Sequence, residues 1–275
     1  MSLPLFTVLM GVAGLVLGSF ANVVVWRFPR GESLSHPASH CPACDAPVRP
    51  RDNVPVVSWL LLRGRCRDCS APIPARYPVV EGVSALLFVL AALRFGVSAR
   101  AVVAAVCFWL LLVLSAIDLD HYRLPNALVA VLAVIGVAAA GVSQVTGLQI
   151  APLVGTAASG WLSSPLAAGL AGALLGGGMS LGIALLYGLL RGRSGLGMGD
   201  VKLLGALGFY IGPYVLLALF VGSVLGMVVG IAAARGERLS RVRIPFGPSL
   251  AAGAVVAALA GPAIMSWYLG IAGLS

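Results

Sequence analysis

Nine acidic residues and five cysteines are the groups in this 275-residue sequence whose types and spacing allow chemistry. Four of the cysteines form two pairs, Cys41-Pro42-Ala43-Cys44 and Cys66-Arg67-Asp68-Cys69, with 21 residues between them. Each such turn presents two sulfurs along one edge of a tetrahedron, the ligand pattern of a zinc site. Four thiolates leave no open position for water, so one structural ion is expected at Cys41, Cys44, Cys66 and Cys69. A pair of disulfides is the alternative, disfavoured if the segment lies in a reducing cytoplasm. His36 and His40 are not needed to complete the shell. Cys107, in an apolar run, reads as a small buried hydrophobe.

The chemistry must then lie with carboxylates. Asp118 and Asp120 follow Ile117 at the end of an apolar run, with Arg123 and Pro125-Asn126 after them. Asp200 closes the loop Gly195-Leu196-Gly197-Met198-Gly199-Asp200, ahead of Val201-Lys202. Two Asp residues brought together from separate helices share a proton, because like charges a few ångströms apart do not both ionise. The ionised one activates a water, which is aspartic proteolysis and needs neither metal nor nucleophilic side chain. The glycines at 195, 197 and 199 are expected to allow backbone conformations closed to other residues and let a strand of substrate lie close. Taken singly, each Asp is equally served by helix capping or by an ion pair with Arg123 or Lys202.

The elements that position these groups must be membrane helices. Hydrophobic residues make up 60% of the chain and charged ones 10%, against roughly 25% charged in an ordinary soluble domain. A soluble enzyme, a disordered chain and a coiled coil are thereby excluded. Runs near the roughly 20 residues that cross a bilayer lie at 4–25, 78–93, 101–117, 124–140, 165–190, 214–234 and 246–270. The shorter stretch 201–212 is either a short helix or a re-entrant segment, so seven or eight spans follow, eight being favoured. With eight spans and the N-terminus outside, 16 of the 18 Lys and Arg residues fall on the cytoplasmic side, the asymmetry expected of inserted helices. Only Arg94 and Arg100 fall outside. The net charge of +9 is thus an orientation code and an attraction to anionic lipid, with no nucleic-acid partner implied. The first run lacks a basic segment before it and reads as an uncleaved anchor. Gly169, Gly172, Gly176 and Gly182 suggest close helix approach in lipid, and no internal repeat of fixed period is apparent. The expected fold class is an all-α polytopic membrane protein of about eight transmembrane helices with a small cytoplasmic zinc-ribbon-like insert. Its expected divisions are a first transmembrane helix at 1–26, the four-cysteine zinc-binding insert at 27–77 and a membrane-embedded core at 78–275.

Gly197-Met198-Gly199-Asp200-Val201-Lys202 resembles the GxGD motif of intramembrane aspartic proteases, in the form typical of type IV prepilin peptidases. Asp118 through Asn126 is similar to that family's other catalytic segment. Gly18-Ser19-Phe20-Ala21-Asn22-Val23, with Arg27, Pro29 and Arg30, is similar to its N-terminal signature. The CxxC pairs match the zinc insert of its bifunctional bacterial members, and Arg76-Tyr77-Pro78 with Glu81 matches the join to the second span. The resemblance implies cleavage of the basic leader of type IV prepilins or pseudopilins after a Gly at the cytoplasmic face. It also implies N-methylation of the new N-terminus from S-adenosylmethionine, in the inner membrane of a bacterium that builds a type IV pilus or a type II secretion system. Carried over by residue, the catalytic pair is Asp118 and Asp200, with Gly197, Gly199 and Lys202 in support. Asp120 competes with Asp118, which is preferred for its seven-residue offset from Pro125. Glu81 is the methylation candidate, its alternative being a structural pair with Arg76. No Gly-rich dinucleotide-type loop points to residues that bind the methyl donor, and the oligomeric state stays open.

Two other classes of function compete. Boundary carboxylates also suit a proton- or cation-coupled transporter, although none is placed at mid-bilayer. A membrane-embedded assembly factor that binds pilins without cutting them is the other.

Overall fold

A backbone in lipid has to satisfy its own hydrogen bonds, and a charge-poor apolar chain therefore builds helices. The computed structural model describes residues 1–156, 160–192, 196–234 and 245–273, which are mostly helical with no β-strand among them. The helices are α1 (Leu3–Arg27), α2 (Val57–Leu61), α3 (Arg76–Phe95), α4 (Ala99–His121), α5 (Asn126–Thr146), α6 (Pro165–Ala173), α7 (Met179–Arg191), α8 (Met198–Ile211), α9 (Val215–Ala234) and α10 (Gly247–Ile271). Among the described residues, seven stretches are long and apolar enough to cross a membrane, which makes this a multi-pass membrane protein. One of them, Met198–Ala234, is two helices jointed at Gly212, whose φ of 52° ends α8. The favoured eighth span is therefore the short helix α8, whose 14 residues rise only about 21 Å against a hydrocarbon core of about 30 Å.

The chain divides into two compact units, Met1–Ala101 and Val102–Ser275. In the first, α1 and α3 pack along their length because α1 presents glycine where α3 approaches. A Cβ on Gly14 would lie 2.7 Å from the Ala85 backbone, and one on Gly18 2.6 Å from that of Glu81. The buried Ser84 hydroxyl donates to the Gly14 carbonyl at 2.6 Å, a bond that substitutes for solvent in lipid.

In the second unit α8 is the central helix. Its Leu203, Leu204, Leu207, Tyr210 and Ile211 are almost completely buried, and it packs on α5, α6 and the π-helical turn Leu174–Gly178 between α6 and α7. The Tyr210 hydroxyl donates to the Leu132 carbonyl on α5 at 2.8 Å. Gly172 and Gly176 meet α8 backbone atoms and Gly169 meets the Phe209 ring, whereas Gly182 faces open space. Three of the four clustered glycines thus serve close packing. Helix α9 packs on α10 through Gly222 and Gly253.

Three boundaries differ from the sequence expectation in ways that matter to the site. Helix α4 runs to His121, so Asp118 and Asp120 sit inside its last turn instead of beyond its end. Helix α8 begins at Met198, so Asp200 is in its first turn and no longer in a loop. Helix α5 runs through Gly141 and ends at Gly147, where the chain takes the left-handed conformation that favours glycine. Gly195 and the basic loop 235–243 lie outside the described residues.

Candidate active site and metal centre

The second unit holds a cavity of about 700 Å³ lined by both Asp118 and Asp200, together with Arg123, Asn126, Gly197, Gly199, Lys202 and Phe246. The last turn of α4 and the first turn of α8 supply the two carboxylates, which lie within electrostatic reach of each other. Asp118 is only 5% exposed, and its Oδ2 accepts the Gly247 amide N–H at 3.0 Å at the start of α10. Asp200 sits where an acidic side chain complements the positive end of a helix. Asp120 is exposed and does not line the cavity. Lys202 Nζ donates to Asn126 Oδ1 at 3.0 Å, tying the first turns of α8 and α5 together beside the cavity.

Gly197 and Gly199 act through space and not through conformation, since neither has a positive φ. A Cβ on Gly197 would lie 3.0 Å from Asp200 Oδ2, and one on Gly199 3.1 Å from Leu124 Cβ. The sequence reading missed Gly247 and Phe246. Their signal is Phe246-Gly247-Pro248, a Gly-Pro start to an apolar run, but nothing local ties it to an Asp 129 positions earlier.

Glu81 lies in the first unit, on α3, and is 8% exposed. Its Oε2 accepts the Val56 amide N–H at 2.7 Å, and the Ser19 hydroxyl is a second partner. Val56 has φ 61°, a conformation costly for a β-branched side chain. The N-terminal signature is structural at two positions. The buried Arg27 guanidinium donates to the Ser33 and Pro37 carbonyls at 3.1 and 2.7 Å, and Asn22 reaches the Tyr77 carbonyl at 3.3 Å.

The sulfurs of Cys41, Cys44, Cys66 and Cys69 all lie within 4.8 Å of one another, and none is in a disulfide. The Cys41 and Cys69 sulfurs are 3.8 Å apart, close to the edge of about 3.8 Å that a tetrahedron with 2.3 Å zinc–sulfur bonds requires. The four residues thus fit a metal ion. The two knuckles are near copies, Cys41-Pro42-Ala43-Cys44-Asp45-Ala46-Pro47 and Cys66-Arg67-Asp68-Cys69-Ser70-Ala71-Pro72, a short internal duplication in a chain without a repeat of fixed period. In each, the first Cys amide donates to the Ala carbonyl five positions on, at 2.9 and 2.8 Å. The residue after the second Cys has positive φ, 56° at Asp45 and 60° at Ser70. Amide N–H groups of Ala43 and Cys44 bring the Cys41 thiol down to about 7, whereas Cys44 and Cys69 are raised with neighbouring thiols among the causes, so four thiolates together need a cation between them. The interior of the second knuckle is clamped to the 49–52 segment: Arg67 pairs with Asp52 at 2.6 Å, Asp68 with Arg49 at 2.7 Å. Arg67 holds Asp52 below the usual carboxylate range.

Comparison with known proteins bears on what a carboxylate pair in such a frame does. Residues 12–95 match the bacterial peptidase A24 N-terminal domain, and residues 105–231 match the type IV leader peptidase family. The chain belongs to the type IV leader peptidase family. The family is one of enzymes, and nothing supports the transporter alternative. A type 4 prepilin-like proteins leader peptide-processing enzyme of Escherichia coli O78:H11 is 37% identical over 90% of this chain and 91% of its own length. Prepilin leader peptidase/N-methyltransferases of Aeromonas hydrophila and Bacillus subtilis are each 35% identical. They cover 93% and 95% of this chain and 91% and 97% of their own lengths. No solved structure matches significantly. The two family regions fall one in each compact unit, with Glu81 and the cysteines in the first and Asp118 and Asp200 in the second.

Proposed function

We propose that this protein removes the short basic leader of type IV prepilins or pseudopilins after a Gly and N-methylates the residue so exposed. The observation that carries the reading is one cavity, in a chain of this family, lined by carboxylates from α4 and α8. With one proton shared between Asp118 and Asp200, the ionised carboxyl takes a proton from water as its oxygen attacks the scissile carbonyl. The protonated carboxyl gives its proton to the carbonyl oxygen, forming a neutral diol. Return of a proton to the amide nitrogen then lets the C–N bond break, and the pair regains its single proton. Gly197 and Gly199 keep the entrance of α8 free of side chains, and the Lys202–Asn126 bond fixes its position against α5.

Methylation requires a co-substrate, S-adenosylmethionine, whose methyl group would pass to the neutral amine as the S–C bond breaks to leave S-adenosylhomocysteine, the amine giving up a proton. Glu81 is the carboxylate assigned to that second activity. The cysteine cluster holds one structural zinc ion, which ties the two knuckles of the 27–77 insert together. The distribution of basic residues supports an inner-membrane protein with its N-terminus outside and with the insert and cavity at the cytoplasmic face. The proposed division is a first helix at 1–26, the insert at 27–77, and a membrane-embedded core at 78–275 that carries both Glu81 and the peptidase carboxylates. Purified protein is mixed with a prepilin in detergent and the substrate mass is followed. Loss of the leader mass, absent in both Asp118→Asn and Asp200→Asn, is the expected result. An unchanged mass with folded, metal-loaded wild type overturns the reading.

A further inference from the structure

We propose that Gly247 is a positioning residue for the carboxylate pair, acting through Asp118, an inference that rests on the peptidase reading. Three observations carry it. First, the Gly247 amide is the donor to Asp118 Oδ2, at 3.0 Å in a buried setting. Helix α10 receives no side-chain cap from its own N-cap residue, Phe246. One of its unpaired N-terminal N–H groups is therefore satisfied by a carboxylate from α4. Pro248 follows and has no N–H, so a rotated or shifted Asp118 finds no second donor at the next residue. The contact has one register.

Second, a side chain at 247 would meet the carboxylate itself. An added Cβ would lie 2.6 Å from Asp118 Oδ2 and 3.2 Å from both Asp118 Cγ and Leu124 Cδ2. Every one of these neighbours is a side-chain atom. An added methyl group therefore displaces the carboxylate and leaves the backbone where it is. Gly253, between one and two turns along the same helix, is the opposite case, because its missing side chain makes room for the Ala218 carbonyl and the Gly222 amide of α9. Third, the neighbours Pro245 and Phe246 line the same cavity as Asp118 and Asp200. The start of α10 is thus a wall of the site as well as the support of one of its carboxylates.

The experiment compares Gly247→Ala with Gly253→Ala and Gly270→Ala, the last having no atom within 4 Å of an added Cβ. Each is measured for thermal midpoint and for kcat and KM on a prepilin peptide with a basic leader, in detergent. Gly247→Ala is expected to lower kcat by about 100-fold, the scale of a 1 Å misplacement of a reacting group, with KM and thermal midpoint unchanged. Gly253→Ala is expected to lower the thermal midpoint while the folded fraction keeps its kcat, and Gly270→Ala to change neither. Wild-type kcat in Gly247→Ala overturns the inference. So does a kcat loss matched by a thermal loss like that of Gly253→Ala. An inactive wild type overturns the peptidase reading instead, and the inference with it.

Discussion

Each compact unit buries a carboxylate against a backbone amide, and the two do it differently. In the first, Glu81 takes the N–H of Val56, a residue held at φ 61°, a strain of order 1–3 kcal/mol that the surrounding structure sustains. Ser19 is a second partner, and Gly18 presses on the Glu81 backbone. In the second, Asp118 takes the N–H of a glycine at no conformational cost, faces a cavity, and has a second carboxylate within electrostatic reach. Burial alone does not separate them, at 8% and 5% exposure. What separates them is the company each keeps. Glu81 is a single carboxylate fixed by two donors, placed to attract an amine and not to share a proton, whereas a pair sharing one cavity can pass a proton.

The comparison breaks most visibly at the pair itself. Asp118→Asn and Asp200→Asn are each expected to lower leader cleavage by at least about 10⁴-fold, with metal content and methylation of pre-cleaved pilin retained. Loss of methylation alongside cleavage in these variants breaks the division between units. Next in size, Glu81→Ala is expected to lower methyl transfer from radiolabelled S-adenosylmethionine by about 100-fold while cleavage continues; an equal loss of both makes Glu81 structural. A smaller effect on cleavage follows from metal removal. Cys66→Ser should abolish stoichiometric zinc binding, read by elemental analysis, and reduce cleavage by less than tenfold or so, since the cavity belongs to the other unit. Asp120→Asn should leave cleavage near the wild-type rate; an inactive Asp120→Asn beside an active Asp118→Asn reverses the assignment.

The smallest expected effect sharpens the first unit only. Arg67→Gln should speed zinc release to a chelator modestly, because one of the two ion pairs that clamp the knuckle is lost while the other remains. The pH dependence has a definite sign. Asp52 is lowered by Arg67, so its contribution is complete above the ordinary Asp value of about 3.9 and is lost as pH falls through the lowered one. The difference between Arg67→Gln and wild type should therefore be constant from about pH 7 to pH 5. A difference that fades within that window assigns the effect to another group.

Much of this was readable without coordinates, for local reasons. Helices in lipid follow from runs of apolar residues, and CxxC spacing encodes a tetrahedral edge within four residues. Boundaries failed where a residue type has two uses. The run expected to end at 140 continues through Gly141 to Thr146, because the stop signal is a left-handed conformation, adopted by Gly147, and not the residue type. Gly197 and Gly199 were read for backbone freedom but serve as empty space beside Asp200 and Leu124. Asp118 and Asp120 are two positions apart and chemically identical in sequence. Helical rotation alone puts one in the cavity wall and leaves the other exposed.

The sequence by itself determined that the chain lies in a membrane, that four cysteines converge, and that Asp118, Asp120 and Asp200 are the acids to watch. Composition, short spacing and motif carry that information within a few residues. Only the tertiary structure decided which neighbours those acids have. Gly247 lies 129 positions from Asp118, and Val56 lies 25 from Glu81. A hydrogen bond between backbone N–H and carboxylate depends on where helices end and cross, and the donor's side chain leaves no pattern in the sequence that identifies it.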